Sequence, residues 1–384
     1  PGPGPAPAPG AAPVPAAAAP APPPAAPPVQ MSRASRVYLH VGVPKTGTTF
    51  LQGVLAGNRA RLRENGVLYP GRDEAHHRAA WDLRDVPARR ADDQHVRGAW
   101  DRLVQAALEW HGHVVVSSEL FGYARPRHVA RARRALAGTE LHLVLTVRDL
   151  ARQVPAVWQE RVKNQHTVEY GTFVDDLLQP DSGIAICRAF WYVQDAVAVL
   201  RRWADGLPPA RVHVVTVPPA GAPPEELWRR FCTAVEVTAE GHHLDVPAAN
   251  VSLSLPQTEL LRRISAGFDD LPWPRYRREV RDRLLPVLAR AVPDTPRAGL
   301  AEPARTALAR RSQAMAAQLA RQRYDVVGSL DDLLVDAAAA PGVQQLPETD
   351  VLDAAVAVIR DLLEHRRGRS SARARPASGG GKLR

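Results

Sequence analysis

Hydrophobic positions along the chain alternate between short unbroken runs and longer stretches in which they recur every three or four residues. Residues 36–43 (RVYLHVGV), 113–118 (HVVVSS), 141–147 (LHLVLTV) and 211–217 (RVHVVTV) are apolar and rich in β-branched side chains, the pattern of buried strands. After the first run, Leu51, Val54, Leu55 and Leu62 fall at helical spacing, and Asn65-Gly66 ends the pattern as a helix stop. Residues 149–164 and 190–203 also read as helices, the second with Val193, Val197, Leu200 and Ala204 on one stripe, and Pro155 should kink the first. Strands alternating with helices predict a mostly parallel sheet covered on both faces. Beyond about residue 218 the pattern is helical only, over 225–235, 256–267, 280–291, 303–323 and 351–366, with no further strand. The expected fold is a P-loop-like three-layer α/β/α sandwich with a helical C-terminal flank.

Composition refines the ends of this picture. Thirteen of the first thirty residues are Pro and none is charged, so the segment cannot bury enough apolar surface to offset its ordering entropy. It lacks a basic start and an unbroken apolar stretch, and so does not read as a secretory signal. Met31 directly precedes the folded pattern and is a candidate translation start. The predicted organisation is a disordered Pro/Ala-rich segment over 1–31, an α/β domain with a helical cap over 32–330, a helical segment over 331–366 and a disordered basic tail over 367–384. The net charge is +10, but seven basic and no acidic residues follow from Arg366 onward. The basic balance is therefore largely a tail effect, and no nucleic-acid partner is expected. Cys187 and Cys232 have no metal-ligand spacing and are expected as buried free thiols in a reducing, cytoplasmic setting. No apolar run reaches the roughly 18 residues a membrane span needs.

The chemistry concentrates at the first strand-to-helix junction, Gly42-Val43-Pro44-Lys45-Thr46-Gly47-Thr48-Thr49. A helix start presents amides without intrahelical partners and a partial positive charge, which suits an anion. Gly47 permits close approach of backbone to ligand, Lys45 adds a full charge, and Thr46, Thr48 and Thr49 add hydroxyl donors. The spacing is not Walker A: the lysine precedes the second glycine, and Thr48 stands where that motif has lysine.

This turn resembles the 5′-phosphosulfate loop of sulfotransferases, which use 3′-phosphoadenosine 5′-phosphosulfate (PAPS). Thr146-Val147-Arg148-Asp149 is similar to the strand-end arginine of that family's 3′-phosphate site, and with the Phe190-Trp191 helix and Asn250-Val251-Ser252-Leu253 the resemblance covers roughly residues 36–268. It implies that Lys45 contacts the bridging and leaving oxygens of the donor, that Thr46, Gly47, Thr48 and Thr49 hold the 5′-phosphate, and that Arg148 binds the 3′-phosphate. Phe50 matches a position where the family often stacks on adenine, although its helical spacing equally suits the core. The family's serine eight residues after the arginine is Ala156 here, so another donor is needed, and Arg152, one turn after Arg148, is a candidate. The C-terminal Arg-Lys-Gly phosphate motif of the animal cytosolic enzymes is missing. The implied likeness is to bacterial sulfotransferase-family proteins, with PAPS as co-substrate and no metal.

Sulfonate transfer needs a base to take the acceptor's proton. Glu119, leaving the strand 113–118 in Ser117-Ser118-Glu119-Leu120, is the preferred base, because parallel strands end beside the nucleotide turn and partial burial is expected to raise a carboxylate's basicity. His76 and His77, after the turn Tyr69-Pro70-Gly71, are the alternative, with His77 favoured. Ser118 could contact the donor or cap the strand end. The acceptor is expected to be a small-molecule, glycan or lipid hydroxyl or amine, with Trp81, Trp100 and Trp110 as cleft or core residues. Rival readings are a P-loop kinase or NTPase, with Asp149 imitating a Walker B acid, a non-catalytic nucleotide-binding scaffold, and a nucleic-acid binder recruited by the tail.

Overall fold

The computed structural model describes residues 36–72, 74–86, 95–179, 183–246, 252–268, 271–291, 298–335 and 346–373, with Gly2 and Gly4 and with side chains as far as Glu364. The remainder of the expected disordered segment 1–31, Asn250 and Val251, and the tail beyond Arg373 lie outside these residues.

Six parallel strands form the sheet in the order β2-β3-β1-β4-β5-β6. They are β1 (Arg36–His40), β2 (Val67–Leu68), β3 (His113–Ser117), β4 (Glu140–Val147), β5 (Val212–Thr216) and β6 (Asp325–Val327). Helices cover both faces, as expected of an α/β fold. Val37, Leu39, Val116, Leu143 and Val214 pack to one side, while Tyr38, Val115, Val144 and Val215 pack to the other. The period of two along each strand thus serves two cores. On the first face lie α3 (Ala75–Leu83), α4 (Ala99–Glu109), α5 (Pro126–Ala135) and α9 (Ala196–Trp203). On the second lie α1 (Thr48–Gly57), α2 (Arg59–Glu64) and α10 (Pro224–Ala234).

A further apolar cluster is helical. It joins α6 (Leu150–Lys163), α7 (Tyr170–Leu177) and α8 (Ala185–Gln194) to α11 (Leu255–Ala266), α12 (Trp273–Tyr276), α13 (Leu285–Ala291), α14 (Ala304–Arg321) and α15 (Glu348–Arg373). A π-helical stretch, Arg277–Leu284, links α12 to α13. Trp158, Phe173, Phe190 and Tyr276 are fully buried there. No described helix is long and apolar enough to cross a membrane, and Cys187 and Cys232 are buried thiols outside any disulfide, with Cys187 Sγ donating to Phe173 O at 3.5 Å.

The structure departs from the sequence expectations at several points. β1 ends at His40, not Val43, but the chain beyond it stays bonded to β4 through Val41 N to Val144 O and Val43 N to Thr146 O, both 3.0 Å. The helix expected over 190–203 is two helices, because Asp195 breaks the first and caps α9 by accepting from Ala198 N. Asn58 likewise separates α1 from α2, its amide donating to Val54 O and to His243 O. α6 continues through Pro155 to Lys163. β2 and β6 are strands the pattern missed. β6 is held at the edge by Asp332, whose carboxylate accepts from Arg230 and from Thr216 of β5. Finally, α15 extends past the Arg366 boundary to Arg373.

The connection after β1 runs to β2 on one side of the sheet and that after β4 runs to β5 on the other, so the direction of winding reverses between the neighbouring β1 and β4. In open parallel sheets, ligands bind outside the strand C-termini at such a switch point. The loop after β1, the turn after β3 and the start of α6 after β4 all open there.

Candidate active site

The turn after β1 is built to hold its backbone outward. Lys45 and Gly47 both take left-handed conformations, with φ of 69° and 81°. Gly47 is the N-cap of α1, so the amides at helix positions 48–50 belong to an open first turn. Pro44 O is gripped by two amides, Gln153 Nε2 of α6 and Gln194 Nε2 of α8. Thr46 faces inward: its Oγ1 lies 2.6 Å from Val43 O and 2.6 Å from Thr146 Oγ1, and the residue is fully buried. Its hydroxyl therefore braces the turn, and its backbone amide is the group it can offer an anion. Thr48 is also buried, while Thr49 and Phe50 are half-buried, with Phe50 packed against the Trp228 and Phe231 cluster.

A Cβ on Gly47 would come 2.4 Å from Leu227 Cδ2. Leu227 can rotate away, but the left-handed backbone cannot be relieved in the same way. Gly47→Ala should therefore lower the unfolding free energy by about 1–2 kcal/mol in a denaturant melt. An unchanged midpoint would show that the turn tolerates a side chain.

Arg148 follows β4 directly. Its Nη1 donates to Lys45 O at 3.2 Å, and burial pulls its pKa down to about 10. Its buried Nε has no hydrogen-bond partner among the described residues. A buried guanidinium donor without a partner is costly unless an anion meets it. This is the feature that fits a nucleotide phosphate. Arg152 stands near Arg148 but is engaged elsewhere: its Nε pairs with Asp149, and its Nη1 donates to Pro218 O at 3.0 Å. Asp149 in turn caps α6 by accepting from Arg152 N at 2.8 Å. Both oxygens of its carboxylate are thus engaged by Arg152, through the backbone amide and the guanidinium, which opposes the Walker B reading.

The two candidate bases meet. His77 Nε2 of α3 lies 3.3 Å from Glu119 Oε1, although 42 positions separate them in sequence. Glu119 opens a short 3-10 turn, Glu119–Tyr123, that Ser118 caps by accepting from Leu120 N. Ser118 is therefore a capping residue. Gly42 admits Glu119 to this place, since a Cβ there would sit 2.9 Å from Glu119 Cα. The other Glu119 oxygen accepts from Gln52 Nε2 of α1 at 3.0 Å.

Burial alone would raise the Glu119 carboxyl, but the bond and charge of His77 together with the Gln52 amide hold it down to about 2. The expected rise in its basicity is thus reversed. Burial lowers the His77 imidazolium, and the bond and charge of Glu119 with the charge of Glu74 more than offset this, so its pKa is raised. His76 is different. It is buried and stacked on Tyr69 at 4.2 Å, its Nδ1 accepts from Ser117 N, and burial lowers its pKa to about 3. It is a neutral structural group. Trp100 is likewise core, packed edge-on to Phe121, while Trp110 is half-buried and donates to Gly66 O.

Several residues that sequence reasoning did not single out complete the site. His40 of β1 is fully buried and is kept neutral, its pKa lowered to about 4 by burial. Its Nδ1 is 2.8 Å from Ser117 Oγ and its Nε2 is 3.1 Å from Thr146 Oγ1. Gln52 also donates to Ser117 Oγ at 3.3 Å. One polar chain therefore runs from the Thr46 turn through Thr146, His40, Ser117 and Gln52 to Glu119. A lone His in an apolar strand and a lone Gln beside Leu51 were the available signals. Glu160 of α6 receives Lys45 Nζ at 3.3 Å. No group of three or more His, Cys, Asp or Glu suited to a metal occurs among the described residues. A separate cavity lined by Gln165, Thr167, Ser265 and Phe268 lies past the end of α6 and includes none of these residues.

Among known proteins, no family model matches the chain, and no curated protein matches it by sequence. Among solved structures, a sulfotransferase from Alicyclobacillus acidocaldarius is similar, with a TM-score of 0.39 and 16% identity over 62% of this chain and 98% of that one.

Proposed function

We propose that the chain is a sulfotransferase that moves a sulfonate from PAPS to a hydroxyl or amine, with the Glu119–His77 pair serving proton removal. The observation that carries this reading is a convergence at the C-terminal ends of the central strands β1, β3 and β4. A lysine-bearing turn, a buried arginine with a donor lacking a partner among the described residues, and a carboxylate–histidine pair lie there, and Gln52 from the turn's own helix holds the carboxylate.

In this reading the turn amides and Lys45 hold the 5′-phosphosulfate, and Arg148 holds the 3′-phosphate. The acceptor oxygen or nitrogen attacks sulfur as the bond from sulfur to the bridging phosphate oxygen breaks. The acceptor's proton passes to His77, and the charge left on the departing 3′,5′-bisphosphate is met by Lys45. Glu119 can only accept, so His77 donates its Nε2 proton to it and Nδ1 keeps the lone pair. The reading of the site as a kinase or NTPase is disfavoured because both oxygens of Asp149 are engaged by the backbone amide and guanidinium of Arg152, a cation that would compete with magnesium.

Calorimetric titration with 3′-phosphoadenosine 5′-phosphate tests this directly. Wild type should bind it. Arg148→Ala should lose about 2 kcal/mol, roughly 30-fold in Kd, for a charged hydrogen bond removed. ATP with magnesium should bind more weakly in a parallel titration. Failure of the bisphosphate to bind, or tighter binding of ATP with magnesium, overturns the proposal.

A further inference from the structure

Beyond the groups assigned to donor and proton transfer, the side chains around Lys45 and Glu119 are strongly cationic. Glu160 is a hub. Besides Lys45, it meets Arg281 Nη2 at 3.6 Å and accepts from Asn164 Nδ2 at 3.1 Å. Asn164 Oδ1 in turn accepts from Arg281 Nη1 at 2.8 Å. Lys163, three residues on along α6, is 4% exposed. Burial lowers its pKa to about 8, with Glu160 opposing and both Lys45 and Arg281 adding to the fall. Tyr123, four residues after Glu119, accepts from Arg161 Nη2 at 3.1 Å, and the Arg84 guanidinium lies 5.0 Å from its ring centre. The charges of both Glu119 and Glu160 are felt at Tyr123, so both carboxylates lie in its neighbourhood.

The local balance is therefore uneven. Lys45, Lys163 and Arg281 surround Glu160, and Arg84 and Arg161 flank Tyr123, near which Glu119 and Glu160 also lie, with exposed Glu74 near His77. Glu119 is already bound to His77, and Glu160 to Lys45. Nor are these cations placed for the nucleotide's 3′-phosphate. α6 begins just after Arg148, and at 1.5 Å per residue Arg161 stands about 20 Å further along it. Lys45, Glu160, Glu119, His77 and Arg281 all keep between a fifth and a third of their side-chain surface exposed, so the cluster is partly open to solvent and not a sealed core. Like charges gathered beside low-dielectric walls raise the local concentration of counter-anions.

Resting on the sulfotransferase reading, we propose that the acceptor is itself an anion: an alcohol or amine that also carries a carboxylate or sulfate group. The fixed charge docks on Arg84, Arg161 and Arg281, and the nucleophile is thereby presented to the Glu119–His77 pair. Arginine suits this because its planar fork matches a carboxylate or sulfate with two parallel hydrogen bonds.

The test uses the full chain saturated with 3′-phosphoadenosine 5′-phosphate. Matched probes are titrated in pairs: 4-nitrophenyl β-D-glucuronide against 4-nitrophenyl β-D-glucoside, and N-acetylglucosamine 6-sulfate against N-acetylglucosamine. The charged member of at least one pair should bind about tenfold or more tightly than its neutral twin, and added salt should shrink the difference. In Arg84→Gln/Arg161→Gln, which removes the two guanidiniums on Tyr123 and leaves Glu160 and Lys45 untouched, the preference should vanish while the affinity for the bisphosphate stays unchanged. In Arg84→Lys/Arg161→Lys most of it should persist, which separates lost charge from lost folding. Normal bisphosphate binding without preference for either charged probe overturns this inference and leaves the transferase reading standing. So does a preference that survives the Gln substitutions. Absence of bisphosphate binding overturns both.

Discussion

His77→Ala should lower kcat by about 10²–10⁴-fold while leaving affinity for 3′-phosphoadenosine 5′-phosphate unchanged. The reason lies in how the pair divides its protons. Glu119 is held at about 2 by His77 and Gln52, which makes it a stable counter-charge and a weak base at neutral pH. His77, raised above its ordinary value of 6.5, is close to the range where a general base works best. Only neutral imidazole can take a proton. The kcat/KM of wild type should therefore rise with pH through a single acid limb whose midpoint lies above 6.5, and then level off. In Glu119→Gln the upward influence on His77 is removed while burial still acts, so the limb should move to lower pH. The plateau should also fall at least about tenfold, since the carboxylate no longer fixes the ring's tautomer. A wild-type profile flat from pH 5 upward, with activity abolished in Glu119→Gln and retained in His77→Ala, would return the base role to Glu119.

The layered fold was legible because its four long strands are unbroken β-branched runs and its helices carry clear apolar stripes. β2 and β6 escaped because two or three residues cannot display a period of two. The turn after β1 was legible as a candidate anion site because lysine, glycine and threonines cluster at a single junction. The contact between the two candidate bases was not legible. Glu119 and His77 were each recognisable as chemistry, yet as competing alternatives, since spacing along the chain carries no sign that α3 folds against the end of β3. The same limit hid Glu160 and Gln52, whose roles come from helix faces turned toward the turn. Thr46 shows the opposite error. Its hydroxyl looked like a ligand donor beside Thr48 and Thr49, but the left-handed backbone at Lys45 rotates it into the core, where Thr146 and Val43 O satisfy it.

Lys45→Met should reduce kcat by about 10²–10³-fold and weaken donor binding by about 2 kcal/mol. Both effects follow from one ammonium, but at different stages. On the proposed sulfotransferase reading, in the ground state it meets oxygens whose charge is already spread over the phosphosulfate. In the transition state the bridging oxygen gains negative charge as its bond to sulfur lengthens, so the same ammonium binds more strongly there, and only this difference raises the rate. Methionine keeps an unbranched stem that lacks only the terminal ammonium, and asks no more of the left-handed backbone at position 45 than lysine does, so charge is the main variable that changes. Glu160 supplies a check of opposite sign. In the free protein it holds Lys45 at 3.3 Å, and a bound donor must compete with it for that ammonium. Glu160→Gln should therefore tighten binding of 3′-phosphoadenosine 5′-phosphate severalfold, measured by the same calorimetric titration, while Lys45→Met/Glu160→Gln should bind no better than Lys45→Met alone, because the competition requires both partners. A Lys45→Met enzyme that turns over at the wild-type rate would leave the departing oxygen to the turn amides alone and remove the ammonium from the chemistry.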